Sequence, residues 1–356
     1  MNILFTFYVP SGGMETLNRQ RCMALRRVGI QGHLLYTQQG AGVQNISNIP
    51  TYITNYDEDI AALLRSHHYA AIVVSSDYTM LERLRRLGYQ GPIIYEAQGL
   101  GTKEAAERYM QEAAAMLKQH AQAVHLPSTP HLIALFRQYC PSLPQYVFHN
   151  VVDIEHFHYK RGPLPPVPIL AWIGRLEPNK NWKHCLEIAY YIRRIKPPIE
   201  LWMFHDDQIY IKEDQIHFYD MIQHLGLASC MVLRSNVPHA DMSSLLSAVG
   251  DSGGFLLSTS IMEGFGYAVA EAMSCRCPVL STDSEGVRVF ISHNVTGKFY
   301  PQGNIQAAVH EGLELMSEHD LRASIRSQGV EHIKKNFSAQ QYGRAFKRML
   351  HELHVL

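Results

Sequence analysis

The sequence predicts an α/β protein made of two doubly wound parallel sheets, and three observations predict it. Short apolar runs alternate with helix-forming stretches along most of the chain, the order that βαβ units require. Runs such as Ile3–Phe7 and Tyr69–Ser75 read as buried strands rather than as half-exposed ones. Finally, Lys160 to Pro168 holds four prolines and one glycine in nine residues, which breaks helix and sheet alike. The domain boundary is set there, giving domains over 1–162 and 163–339.

A chain of 356 residues is long enough for two cores of ordinary size. Its 46% apolar and 18% charged residues describe a globular chain. Lys plus Arg equals Asp plus Glu at 32 each, so charge offers nothing to a nucleic-acid partner. No run reaches the ~18 apolar residues of a membrane span, and the opening apolar run is too short for a secretory leader. The six scattered cysteines read as free thiols, and the expected compartment is the reducing cytoplasm. Twenty histidines include no His-x3-His pair on a helix with a carboxylate, so no metal site is assigned.

In chain order, the Ile3–Phe7 strand runs into Pro10-Ser11-Gly12-Gly13 and a helix expected over 14–28. A glycine pair between strand and helix permits close approach of a phosphate to the backbone, and a tight turn is the plainer reading of it. Leu34–Thr37 is the second strand. Helices over 57–67 and 78–87 flank the strand Tyr69–Ser75, and Pro92–Tyr95 follows it. The basic segment Leu81–Arg86 reads as a solvated face, so a peripheral membrane contact is open but not indicated. Ile93–Glu96 ends in Ala97-Gln98-Gly99, which puts Glu96 and Gln98 at a strand end. Ala121–Ser128 gives the next strand and Pro130–Tyr139 the next helix.

The second half opens with Ile169–Ile173, whose C-terminal end delivers Arg175 and, after a short loop, Lys180. Parallel sheets bind ligands at such strand ends, so two cations there predict an anion. Glu200–Phe204 ends in His205-Asp206-Asp207. Adjacent carboxylates diverge on an extended chain, so they do not suggest a metal pair. Asn236-Val237-Pro238 follows the strand Met231–Arg234. The stretch GFLLSTSIMEGFGYAVAEAMSCRCPVLST (residues 254–282) reads as strand, loop, helix and strand, with the helix expected over Phe265–Ser274. Glu263 and Glu271 bracket it, about 12 Å apart if both were helical. Gly264-Phe265-Gly266 puts backbone N–H groups at a helix N-terminus, where partial positive charge favours anions. Helices over 304–316, 321–336 and 339–353 complete the chain.

Residues 254–282 resemble the EGFG…E-AM…PV signature of retaining nucleotide-sugar glycosyltransferases of the two-domain GT-B fold, the family 4-like, group 1 glycosyl transferases. Gly174-Arg175-Leu176 with Lys180 resembles that family's G-R-L-x4-K motif, and Tyr146–Asp153, ending in Phe157, its hinge segment, with Val151 in place of glycine. The resemblance implies two Rossmann-like domains facing across a cleft, with the chain from about 340 returning to the first. It implies transfer of a sugar from a nucleotide diphosphate donor to an acceptor hydroxyl with retention. UDP-glucose or UDP-N-acetylglucosamine is the expected donor. Arg175 and Lys180 would neutralise the diphosphate, Glu263 would contact the sugar, and Glu271 would hold the ribose. Gly12, Gly13, Gly264, Phe265, Gly266 and the main chain at Val237 would complete the donor site.

The family's usual histidine is replaced by Gln98, which with Glu96 is placed on the acceptor and sugar side. Arg276 stands where relatives carry glycine, and a positive φ there would strain it. Neither cofactor nor metal is expected, and neither glutamate is assigned as a nucleophile. The acceptor is unidentified. A catalytically silent nucleotide-sugar or partner-binding protein is the competing reading, motivated by Gln98 and by His205-Asp206-Asp207. A phosphorylase or epimerase on the same fold is a third.

Overall fold

A computed structural model describes residues 1–207 and 209–356, which divide into two compact units. Unit one comprises Met1–Val151 with Phe337–Leu356, and unit two Val152–Asn336.

In unit one the order is β1 (Asn2–Phe7), α1 (Gly12–Arg26), β2 (Gln31–Tyr36), β3 (Thr51–Ile53), α2 (Asp57–Ser66), β4 (Tyr69–Ser75), α3 (Tyr78–Arg86), β5 (Ile93–Glu96), α4 (Lys103–His120), β6 (Ala123–Leu126), α5 (Pro130–Tyr139) and β7 (Gln145–Val147). The strands form one parallel sheet in the order β3-β2-β1-β4-β5-β6-β7. Core side chains fill both faces, with Leu4, Ile72 and Val74 on one and Phe5, Leu34 and Val73 on the other. This two-sided burial is why the strands read as continuous apolar runs. Helix starts follow side-chain chemistry: the Asp77 carboxylate accepts from the amides of Thr79 and Met80, and Thr102 Oγ1 from that of Ala105. The arginines of α3 are largely occupied. Arg83 bonds Asp57 and Asn55, and Arg85 bonds the carbonyls of Tyr89, Gly91 and His120.

Unit two continues with β8 (Ile169–Ile173), α6 (Trp182–Ile195), β9 (Glu200–His205), α7 (Lys212–His224), β10 (Met231–Ser235), α8 (His239–Asp251), β11 (Phe255–Ser258), α9 (Tyr267–Ser274), β12 (Val279–Thr282), β13 (Lys298–Tyr300), α10 (Ile305–Ser317) and α11 (His319–Asn336). Its parallel sheet runs β10-β9-β8-β11-β12-β13 around a core that includes Trp172, Trp182, Phe218 and Phe255. The last helix, α12 (Ala339–Glu352), packs on α1 in unit one, with Tyr342, Phe346, Met349 and Leu350 inward.

The boundary lies between 151 and 152, eleven residues before the expected 162/163. The reason is local bonding rather than proline content. His156 Nε2 meets the His239 carbonyl at 3.0 Å, Ser243 Oγ donates to the His156 carbonyl, and the Lys160 amide donates to Ser247 Oγ. These bonds lay 156–160 along α8, ahead of the proline-rich stretch. Residue 276 has φ +60°, so Arg276 occupies the left-handed position that a glycine would take without strain, at a cost of about 1 kcal/mol.

Candidate functional site

Each sheet has one point where strand order reverses, and ligands of doubly wound folds bind beyond the strand ends there. In unit two that point lies between β8 and β11. The loop after β8 carries Arg175 and Lys180, and the loop after β11 carries Glu263. The two loops are stitched together. Asn179 Nδ2 donates to the Met262 carbonyl and Asn179 Oδ1 accepts from the Met262 amide, both at 3.1 Å. The Ile261 amide donates to the Asn179 carbonyl at 2.8 Å, and Thr259 Oγ1 to the Lys180 carbonyl at 2.8 Å. Buried Trp172 donates its indole N–H to Thr259 Oγ1 at 3.0 Å, tying this fabric to β8.

Within that fabric Lys180 Nζ lies 2.5 Å from Glu263 Oε1, and Ser260 Oγ donates to the same oxygen at 2.7 Å. The side chains of Lys180 and Glu263 are 22% and 16% exposed, so the pair is only partly reached by solvent. Arg175 is more open, at 40%, and leans on Glu177 at 3.3 Å. The structure therefore joins two residues expected to touch different parts of one ligand, and leaves Arg175 on a neighbouring salt bridge.

The helix after Glu263 begins two residues later than expected. Gly266 takes φ +87° and caps α9, so helical geometry starts only at Tyr267 and Glu263 sits in the loop. The 12 Å separation estimated for two helical glutamates does not apply. A Cβ on Gly266 would also lie 2.7 Å from Val287 Cγ1, and one on Gly286 would lie 2.1 Å from the Glu263 carbonyl oxygen. The 284–287 segment thus seats on the 263–266 turn with no room for a side chain at 286. Phe265 is buried against Tyr267 and Phe290, with ring centroids 4.9 and 4.7 Å away. Its ring belongs to the core, so only its main chain can serve a ligand. Glu271 is 5% exposed, on the fifth residue of α9.

At the next two strand ends, the Asn236 amide donates to the His205 carbonyl at 3.0 Å, and Asn236 Nδ2 to Asp207 Oδ1 at 2.6 Å. Asp206 Oδ1 accepts from the Ile209 amide at 3.2 Å. The two carboxylates hold different parts of their loop, and half-buried Val237 follows Asn236.

Unit one has its switch point between β1 and β4. Gly12, at φ +58°, and Gly13 open α1 there. Unit one also holds a buried polar network that the sequence did not disclose. Arg21 Nη1 reaches both oxygens of Glu96 at 2.7 Å, and neither side chain has exposed surface. Ser75 Oγ donates to Glu96 Oε2 at 2.6 Å, and His125 Nδ1 lies 2.9 Å from Oε1. Burial alone would raise the Glu96 pKa, but Arg21, helped by His125 and Ser75, holds it far below the usual carboxylate range. Gln98 Nε2 donates to Glu96 Oε1 at 3.0 Å and to Asn150 Oδ1 at 3.2 Å, and Asn150 Nδ2 returns a bond to Gln98 Oε1 at 2.6 Å. Both donor hydrogens of Gln98 are committed, leaving it one acceptor lone pair. Glu96 has no exposed surface, so it cannot meet a ligand directly, and Gln98 is one of the side chains that cover it. That corrects the expectation of direct contact, and the cause is the buried Arg21.

Among the described residues, one group of side chains has metal-like spacing: His310, Glu311 and Glu314, with ligand atoms within 4.8 Å of one another. Lys298 Nζ, wholly buried, already stands 2.6 Å from Glu311 and 2.5 Å from Glu314. An ammonium thus already pairs with both carboxylates of the group.

The model of the family described as glycosyl transferases group 1 matches residues 154–332, half of the chain. The chain belongs to that family. The matched span holds Arg175, Lys180, Val237, Glu263 and Glu271, whereas Gly12, Gly13, Glu96 and Gln98 lie outside it. A trehalose synthase from Thermococcus litoralis is 27% identical over 182 residues, 49% of this chain and 41% of that protein. A glycosyltransferase 1 domain-containing protein 1 from Xenopus tropicalis is 25% identical over 185 residues, 48% and 51% of the two chains. The chain therefore matches about half or less of the length of these relatives. Among solved structures, Anabaena HepE in complex with UDP and glucose has a TM-score of 0.82 at 18% identity, covering 99% of this chain and 100% of that one. Sucrose-phosphate synthase from Thermosynechococcus elongatus also has a TM-score of 0.82, at 15% identity and 99% coverage of both chains. At such identities the likeness concerns fold, and the fold is GT-B.

Proposed function

We propose that this glycosyltransferase moves a sugar from a nucleoside diphosphate donor to an acceptor hydroxyl, with retention and without a metal ion. The observation that carries the reading is the Lys180–Glu263 contact at the switch point of unit two, with Arg175 on the same loop as Lys180. Fixed cations and a carboxylate side by side suit a ligand that is anionic at one end and rich in hydroxyls at the other. UDP-glucose or UDP-N-acetylglucosamine is the donor of first choice, supported by a structural neighbour solved with UDP-glucose.

As the glycosidic bond breaks, negative charge gathers on the diphosphate. Arg175, through its planar fork, and Lys180, as a point charge, stabilise it from fixed positions. The α9 N-terminus at Gly266 adds its dipole. Glu263 accepts from sugar hydroxyls and Glu271 from the ribose. The acceptor oxygen attacks on the face that the phosphate leaves, and its proton passes to the departing phosphate oxygen. Gly12 and Gly13 allow close backbone approach of a ligand to unit one, and Gln98 offers its remaining acceptor lone pair. Six free cysteines, five of them buried, support a reducing compartment such as the cytoplasm.

The test is release of nucleotide from a panel of donors, with and without EDTA, and the anomeric configuration of the hydrolysed sugar by NMR. Retained sugar in EDTA is expected. Inverted sugar overturns retention. Activity that only Mg²⁺ or Mn²⁺ restores overturns the metal-free mechanism. Tight donor binding with no release from any donor favours the silent binding protein, a reading to which the committed donors of Gln98 lend support.

A further inference from the structure

The chain has no net charge, yet the last helix of unit one is strongly one-sided. Arg344, Lys347, Arg348 and His351 fall at i, i+3, i+4 and i+7 on α12, and all four are exposed. The opposite face is buried through Tyr342, Phe346, Met349 and Leu350. Among the described residues, Arg344, Lys347 and Arg348 form no ion pair. The single acidic residue of α12, Glu352, is its last. Gly343 seats α12 on the end of α1, where an added Cβ would lie 3.0 Å from Val28 Cγ1 and 3.7 Å from the Ala24 carbonyl oxygen. That end of α1 carries Arg26 and Arg27, both exposed. Setting aside Arg27, which has a partner of its own, the two packed helices carry four exposed permanent cations, Arg26, Arg344, Lys347 and Arg348. Like charges at i+3 and i+4 weaken a helix unless a counter-charge answers them.

We propose that this face docks unit one on an anionic phospholipid surface. The stripe from 344 to 351 runs about 10 Å along an exposed helix, a convex face that meets a plane of head groups better than it wraps a polymer. Four to eight clustered Lys and Arg residues are the usual size of an anionic-lipid contact. The exposed residues of α12 include no Phe, Tyr or Trp on which a base could stack, which argues against RNA. Beyond the stripe, Leu353 and Val355 pack against the core of unit one, and Leu356, 51% exposed, offers one apolar group beside the cations. Long Lys and Arg stems lie along such a boundary with their charges in the head-group layer. No helix of the described residues is long and apolar enough to cross a membrane, so the contact proposed is peripheral.

The experiment is vesicle flotation of the full chain with phosphatidylcholine alone and with phosphatidylcholine carrying phosphatidylserine, at about 0.1 M salt. Binding is expected to the mixed vesicles only, and to be lost at high salt. The triple variant Arg344→Gln, Lys347→Gln, Arg348→Gln should bind about a hundredfold more weakly, roughly fivefold per cation. The double variant Lys103→Gln, Lys118→Gln, exposed on α4, should bind as the wild type does. Circular dichroism and thermal melting confirm folding, and Lys347→Gln alone, expected at about fivefold, replaces the triple variant if that one is unfolded. Equal binding to both vesicle types, an unaffected triple variant, or stronger retention by single-stranded RNA than by mixed vesicles would each overturn the proposal. None of these readouts depends on glycosyl transfer, so they stand apart from the proposed function.

Discussion

Replacing Glu263 with glutamine should tighten the binding of free UDP while impairing transfer. In the free protein Lys180 is spent on Glu263 at 2.5 Å, and both side chains are less than a quarter exposed. A diphosphate arriving at Lys180 therefore meets a neutralised cation and a carboxylate that repels it. Two unit charges about 6 Å apart interact by roughly 3 kcal/mol at an effective dielectric of 20, and solvent access and salt reduce that. A gain of about 1–2 kcal/mol remains, or roughly five- to thirtyfold in the dissociation constant. Lys180→Met should act in the opposite sense. It removes the attracting charge and leaves Glu263 with Ser260 as its remaining partner in the fabric. Calorimetry with UDP on both single variants and the double variant closes the cycle and isolates the coupling. Weaker UDP binding by Glu263→Gln, or no coupling between the two sites, would refute the arrangement. Either result would mean that the ion pair plays no part in the anion site.

Other consequences are open to direct measurement. Arg175→Ala should cut turnover by roughly a hundredfold with little change in melting temperature, since its partly exposed side chain supports only Glu177; near-normal turnover would remove it from the reaction. Gly286→Ala should destabilise unit two by about 1–3 kcal/mol or more, because its Cβ would meet the Glu263 carbonyl at 2.1 Å; a melting curve unchanged from wild type would show that the two loops are not in contact. His33 bonds Tyr69 at 2.9 Å and faces His67, and burial first, then that neighbour, lowers its pKa. The folded state prefers the neutral ring. Its contribution is thus complete above the ordinary histidine pKa near 6.5 and declines as pH falls through that value toward the lower folded one. Melting temperature should drop on acidification from about pH 7 to 5, and the drop should shrink in His33→Gln; an identical drop would assign the acid sensitivity elsewhere.

The strand-end logic was legible because it is local. A continuous apolar run announces a strand buried on both faces, and the residues that follow it must stand at the ligand edge. Arg175 and Lys180 were placed in this way, whereas Glu263 was placed by the helix start that follows it and strained Arg276 by the glycine that relatives carry at its position. The pairing of Lys180 with Glu263 was not legible, since it joins positions 83 residues apart whose loops are registered by Asn179. Helix α1 hid more. Glu15, Asn18, Arg19, Gln20 and Arg21 are all buried, so a polar stretch that reads as a solvated helix is interior. The signal that could have found its partner was a lone carboxylate, Glu96, closing an otherwise apolar parallel strand. A buried charge there requires a buried counter-charge. The late start of α9 depends on a single backbone angle at Gly266, which periodicity does not report.

The stitching of the 179–181 loop to 259–262 also determines where disorder is removed. Fixing a backbone residue costs roughly 1–2 kcal/mol of conformational entropy. Here the half-dozen residues around Lys180 and Glu263 lose that freedom when the chain folds, through Asn179, Thr259 and Trp172. A ligand reaching this edge of the sheet need not order the loops it touches. Its association would be governed by its own immobilisation and by the water it displaces, and the two loops would respond to it as a single body.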